Sequence, residues 1–305
     1  MLNLKHLLSS IDTNFAQLIE KKEIRLVRHT MKNRKDGDWT GFDNLLKFDN
    51  ELLKIFTAEQ PLDKYKDAKL ILVFVATTST RCLLRGAFWS KGLISYEGFS
   101  KRNNIKRFED YKSQKAIPFH FGQDRFYYDL EECVELSLFK NRLVIDWGSS
   151  TVQWVQSQTD KEIWQILPVG FVSEFPGWNQ VFISHRELQA IIDNPDGNLD
   201  WQLFLTSHDG VYVILDTSTG KNYVGSAYGC NGIWGRWSGY AKTGDNGNQA
   251  LVELTDLDPS HADNFMYSIH HVFPKGSLTK DEVIHYESLL KDKIGSRNIN
   301  GLNRN

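Results

Sequence analysis

"GVYVILDTSTGKNYVG", residues 210–225, is the stretch on which the fold turns. Gly210-Val211-Tyr212 opens it and Tyr223-Val224-Gly225 closes it, with "TSTG" between two arms rich in β-branched and aromatic residues. Such arms predict an antiparallel hairpin. With residues 217–220 as the loop, Asp216 pairs with Lys221, Ile214 with Tyr223 and Tyr212 with Gly225. Side chains alternate along a strand, so Tyr212 and Tyr223 then share a face as diagonal neighbours. Gly225 leaves open space across from Tyr212. A slip of one residue would send the two tyrosines to opposite faces. By themselves, two tyrosines in a hairpin are ordinary strand formers.

The chain downstream adds chemistry to this hairpin. In "CNGIWGRWSGYAKTG", residues 230–244, Arg236 and Tyr240 are four apart, a spacing that stacks them on one helix face. Gly232, Gly235 and Gly239 make that helix weak by propensity, so packing must hold it. In "LTKDEVIHYESLLKDKIGSR", residues 278–297, Thr279 and Glu282 form a capping box and Gly295 marks the stop. The apolar stripe of this helix runs Val283, Leu290, Ile294, and Glu287 falls within it. A carboxylate there is costly unless it pairs with Arg236 or a lysine, or binds a cation. Both readings stand on the residues alone.

Working outward, "DNPDGNLD" (residues 193–200) is the densest cluster of turn formers and predicts a domain border, with an N-terminal domain over 1–200 and a second over 206–305. Just before it, Ser184 and Glu187 form another capping box. At the start, Leu4, Leu7, Leu8, Ile11, Phe15, Leu18 and Ile19 are spaced as one helix face, and "FDNLLKFDNELLKIFTAEQ" predicts a second helix. Strand-like runs follow: "KLILVFVATT", "RCLLRGAFW", "RFYYDL", "RLVIDWG" and "TVQWVQ". Short strands at that density predict an α+β domain with a bent sheet or small barrel.

The 305 residues are 41% hydrophobic and 24% charged, a globular rather than a disordered composition. No apolar run approaches membrane-spanning length and no signal peptide is evident, so a membrane partner is not expected. Cys82, Cys133 and Cys230 have no metal-ligand spacing, which fits a reducing, cytoplasmic setting. The net charge is −2, so any polyanion site must be a local patch. Two basic stretches qualify: "RLVRHTMKNRK" (Arg25, Arg28, Lys32, Arg34, Lys35) and "KRNNIKR" (Lys101, Arg102, Lys106, Arg107). A solvated basic face explains them equally well. Trp147 and Trp154 could stack on a base, although core packing is the commoner use of tryptophan.

The Gly-Val-Tyr and Tyr-Val-Gly pair, the following Arg236, the late helical Glu287 and the terminal Asn303 together resemble the GIY-YIG nuclease superfamily. The segments "YVGSAYGCNGIWGRWSGYAKTG" and "ESLLKDKIGSRNINGLN" look like its restriction-type, stand-alone bacterial branch with its own N-terminal domain. The resemblance covers about residues 208–305 and departs from the family by valine for isoleucine in both tripeptides. Asp245 stands where a histidine is common in relatives.

The resemblance implies a three-stranded antiparallel sheet flanked by helices. It assigns Tyr212 and Tyr223 as the motif tyrosines, with Arg236, Tyr240 and Asn303 completing the catalytic set. Glu287 would be the metal ligand, for Mg²⁺ or Mn²⁺. Such a cation takes oxygen ligands and keeps several waters, so one carboxylate plus phosphate oxygens suffices. Arg236 suits a phosphate oxygen. A phenol is a weak base near pH 7, so a basic tyrosine needs nearby positive charge. Tyr212 is the expected base, with Tyr223 and Tyr240 positioning water and phosphate. The expected function is a metal-dependent DNA endonuclease of restriction or phage defence, with target choice in residues 1–200. One site per chain implies a homodimer on DNA or sequential nicking for double-strand cleavage. Alternatives are a structure-selective DNA repair nuclease and an inactive nucleic-acid binding module.

Overall fold

The computed structural model describes residues 2–29, 50–103, 105, 122, 124–150, 152–297 and 301–304. The protein is a mixed helix and sheet structure whose chain divides into two compact units, Met1–Leu167 and Pro168–Asn305. The division lies upstream of the turn cluster at residues 193–200, so the helix expected after Ser184 belongs to the second unit.

The first unit begins with α1 (Leu4–Ile11) and α2 (Thr13–Glu20) rather than one continuous helix. Asp12 is the reason: its backbone is extended (φ −150, ψ 138) and its carboxylate accepts from the Asn14 N–H, capping a new helix. A curled half-barrel sheet follows. Its strands include β1 (Ile24–His29), β2 (Glu59–Gln60), β3 (Leu70–Ala76), β4 (Arg81–Ile94), β5 (Phe126–Glu132), β6 (Leu143–Asp146), β7 (Val155–Gln156) and β8 (Ile163–Ile166). The main path runs β2-β5-β4-β3-β1-β7, with β6 joining β4 to β8. The long β4 curls the sheet, because it pairs with β6 along its first half and β5 along its second, with register shifts in between. In β3, Leu70, Leu72 and Phe74 pack against α1 and α2, while Ile71 and Val73 face a second core containing α3 (Asn50–Ala58). Burial on both faces explains why that strand reads as an unbroken apolar run.

The described basic residues of the two stretches make contacts within the first unit. Arg25 donates to the Lys22, Ile24 and Lys66 carbonyls, and Arg28, 5% exposed, donates to Cys82 Sγ and the Ser79 carbonyl. On α4 (Tyr96–Arg102), Lys101 pairs with Glu97 and Arg102 with Asp129, both cations staying exposed. Lys32, Arg34, Lys35, Lys106 and Arg107 lie outside the described residues. Trp147 is fully buried, edge-on to Phe74 and hydrogen-bonded to the Gln153 carbonyl, and Trp154 packs against the second core. Trp147 has no free stacking face, while Trp154 is partly buried. All three cysteines are unpaired. No helix among the described residues is long and apolar enough to cross a membrane.

The second unit is built on β10 (His208–Asp216), β11 (Lys221–Ala227) and β12 (Phe265–Pro274), with β9 (Phe182–Ser184) added beyond β12. The order is β11-β10-β12-β9, all antiparallel, so the sheet has four strands rather than three. The hairpin register is the one the sequence implies, with Asp216 opposite Lys221, Ile214 opposite Tyr223 and Tyr212 opposite Gly225. Asp216 fastens the loop by accepting from Ser218, Thr219 and His261. One face of the sheet, carrying Tyr212, Ile214 and Tyr223, is covered by α5 (His185–Asp193), α6 (Leu199–Ser207), α7 (Gly232–Thr243) and α8 (Gln249–Leu257). The opposite face, carrying Val211, Val213 and Val224, is covered by α9 (Lys280–Ile294) through Leu290. Both predicted capping boxes form, at Ser184/Glu187 and Thr279/Glu282, and Gly295 ends α9 in the left-handed conformation.

Candidate active site

Strand β11 is at the edge of the sheet, and a cavity of about 690 Å³ opens beside it. Tyr223 reaches the cavity from one face, joined by Arg236 of α7. Ser226 reaches it from the other face, joined by Glu287 and Lys291 of α9. The two helices thus arrive from opposite sides of the sheet and meet beside its edge strand. Asn246, Asn248 and Arg297 add further polar lining.

Tyr212 and Tyr240 stand behind this lining. Both are fully buried, and Tyr212 Oη donates to Tyr240 Oη at 3.1 Å while Arg236 Nε donates to Tyr212 Oη at 3.4 Å. The rings pack edge to face, Tyr240 lying 5.9 Å from Tyr212, 6.4 Å from Tyr223 and 6.2 Å from Tyr267. Burial above all pushes the Tyr212 phenol well above its ordinary range, and Arg236 only partly offsets it. Burial does the same to Tyr240. The expected proton acceptor, Tyr212, therefore lies behind the cavity lining rather than in it. Its hydroxyl meets the Arg236 guanidinium there.

The weak helix α7 is held by close packing, as its glycines require. A Cβ at Gly239 would stand 2.1 Å from Asn246 Oδ1, so glycine lets the loop after α7 fold back onto the helix. Asp245 serves that loop by accepting from the Gly247 N–H at 2.6 Å.

Glu287 is paired at both oxygens. Lys291 Nζ lies 2.6 Å from Oε1, and Ser226 Oγ donates to Oε2. Of the pairings considered, the one with a lysine forms, and Arg236 makes no ion pair with Glu287 among the described residues. Among the described residues no three His, Cys, Asp or Glu side chains gather around a metal position. The oxygen donors of Glu287 and Ser226 fit a hard cation that keeps its waters and takes the rest of its shell from a phosphate. Neither Ser226 nor Lys291 was singled out in the sequence. Lys291 had a signal, the i,i+4 spacing from Glu287; Ser226 had none beyond its place in β11.

Asn303 does not line the cavity. It is 4% exposed, its Oδ1 accepts from the Val224 N–H at 2.9 Å, and its Nδ2 donates to the Val224 carbonyl at 2.8 Å. Its amide closes the outer edge of β11 at Val224. Asn303→Ala is expected to cost about 1–3 kcal/mol by leaving those backbone groups without their partner. Faster hydrogen exchange at the Val224 amide, with Arg236 and Glu287 intact, is the measurement.

No family model and no curated protein matches the chain. Two solved structures are similar to it. One is a mutant of the catalytic domain of intron endonuclease I-TevI, 28% identical over 32% of this chain and 94% of that one, with a TM-score of 0.26. The other is titled as the catalytic domain of homing endonuclease I-TevI, 26% identical over 31% of this chain and 96% of that one, with a TM-score of 0.24.

Proposed function

We propose that the second unit is a metal-dependent DNA endonuclease. The observation that supports this most is the convergence of Tyr223, Arg236 and Glu287, from three separate elements, on one polar cavity. Phosphodiester hydrolysis needs a nucleophilic water, stabilisation of charge on the phosphorus oxygens, and help for the departing oxygen. A divalent cation held by Glu287 would supply Lewis-acid stabilisation at the phosphate. Arg236, always charged and steadied by Tyr212, takes a non-bridging oxygen. Tyr223 is the phenol that reaches the cavity, so it is the group placed to orient the water and accept its proton.

The roles of the tyrosines separate in a simple comparison. Tyr223→Phe should lower single-turnover cleavage by roughly a hundredfold or more, the usual cost of losing a proton acceptor. Tyr212→Phe should cost less, about tenfold, because it removes only the hydrogen bonds that aim Arg236 and join Tyr240. The reverse order would return the base role to Tyr212.

The reaction belongs to restriction or phage defence in a cytoplasmic setting, a reading supported by the restriction-type resemblance of residues 208–305. Incubating the full chain and Mg²⁺ with plain, modified and branched DNA, then sequencing the new ends, tests it. Cuts in plain or modified duplex are expected. Cuts confined to branched DNA would make it a repair nuclease, and no cuts at all would leave a binding module. Sedimentation with and without DNA tests for a homodimer on the substrate.

A further inference from the structure

Two aromatic rings line the cavity beside β11, and they differ in depth: Tyr223 is 5% exposed and Tyr228 is 41% exposed. Tyr228 lies one residue past the end of β11 and two residues on from Ser226. Lys280 Nζ, from the first turn of α9, stands 5.3 Å from its ring centroid. An ammonium at that distance is attracted to the ring face and steadies the ring. The turn beyond is held as well, since Lys275 Nζ donates to the Cys230 carbonyl and the Gly232 N–H donates to the Gly229 carbonyl at 3.3 Å. Tyr228 is thus a steadied ring with much of its surface in solvent, at the lip of the cavity. Charge at the cavity favours a polyanion. Arg236, Lys291 and Arg297 line it against Glu287, and cations remain in excess when Asp292, the partner of Arg297, is counted. Lys280 precedes Glu287 by seven residues on α9, which at 1.5 Å per residue is about 10 Å. A strand of duplex carries one phosphate per roughly 3.4 Å of axis, so a phosphate at Glu287 brings a base within about three nucleotides to Tyr228.

We infer that Tyr228 is a stacking platform for one unstacked nucleobase near the cut phosphodiester, so the strand is opened locally where it enters the cavity. Where that base sits relative to the cut rests on the nuclease reading; the stacking does not. Every base has a flat face, so such a contact adds affinity without choosing a sequence. It also carries no charge, which separates it from phosphate contacts: those weaken steeply with salt and stacking does not.

The test is binding of the full chain, without metal, to two fluorescent single-stranded oligonucleotides of equal length. One carries ordinary bases and the other is a chain of abasic sugar phosphates. The unmodified protein should prefer the base-bearing strand by roughly tenfold. Tyr228→Ala should lose that preference by binding the base-bearing strand roughly tenfold more weakly, with the abasic strand bound as before. Tyr228→Phe keeps the flat ring and should stay within about twofold of the unmodified protein. The slope of affinity against salt should be the same in Tyr228→Ala as in the unmodified protein. Equal or absent binding of the two strands by the unmodified protein overturns the inference, as does a Tyr228→Ala that keeps the preference. A salt slope that falls along with affinity also overturns it, because phosphate contacts would then have been lost. So does a Tyr228→Phe as weak as Tyr228→Ala, which would assign the effect to the hydroxyl. Should the alanine variant unfold, Tyr228→Leu fills the space without a flat ring and carries the same expected losses. Failure of the nuclease reading looks different: DNA stays uncut with Mg²⁺, while the preference for bases and its loss in Tyr228→Ala persist.

Discussion

Glu287→Gln should cut DNA roughly a hundred- to a thousandfold more slowly than the unmodified protein, while its circular dichroism spectrum is retained. The loss is of the size expected when a group that stabilises transition-state charge is removed. Glutamine is the right replacement because of what surrounds the carboxylate. Its amide oxygen can still accept from Lys291 or Ser226, so the pair is weakened but not emptied. Alanine would take the Glu287 carboxylate away from the buried Lys291 ammonium, a change that costs about 3–5 kcal/mol in comparable ion pairs. Lost activity in Glu287→Ala would then mix chemistry with unfolding. Near-normal Mg²⁺-dependent cleavage by Glu287→Gln would remove the carboxylate from the mechanism.

Gly225→Ala should damage both the packing of the second unit and its cleavage. A Cβ at this position would lie 2.5 Å from Tyr212 Oη, 2.6 Å from Cζ and 2.9 Å from Cε2. The Tyr212 ring cannot step aside, since Trp237 and Tyr240 enclose it at centroid distances of 6.0 and 5.9 Å. Overpacking of this sort costs about 1–3 kcal/mol and displaces side chains from their rotamers. Displacing Tyr212 also removes the hydrogen bond that steadies Arg236, so cleavage should fall at least about tenfold with stability. A double-mutant cycle checks the cause. Combining Gly225→Ala with Tyr212→Val should destabilise less than the sum of the two, because the valine makes room for the methyl. Strict additivity would mean that the clash is relieved elsewhere.

Much of the hairpin could be read directly, because side-chain alternation and loop length together leave one register in which both tyrosines share a face. That reading left open space across from Tyr212, whereas the structure fills it with the Tyr212 ring itself. Alternation says which way a residue points, not how much is stacked above it. The depth of Tyr212 depends on Trp237, Tyr240 and Tyr267, which converge only in three dimensions. The apolar stripe of α9 marked Glu287 as unusual but could not say which face of the sheet the helix covers. The turn cluster at residues 193–200 misled for a different reason. Asn198 is fully buried, accepts from the Val172 N–H and donates to the Gly170 and Asn194 carbonyls. Residues that usually mark a loose linker here form an internal latch, and their composition is the same in both cases.

The amide clamp on β11 also bears on how the protein behaves in concentrated solution. An outermost strand ordinarily offers its spare backbone groups to any extended peptide, including another molecule of the same kind. Here Asn303 takes both groups of Val224, and the Leu302 N–H takes the Asn222 carbonyl. A docking strand would find those positions filled, so the side of the sheet that must stay open to substrate is guarded against self-association into fibrils.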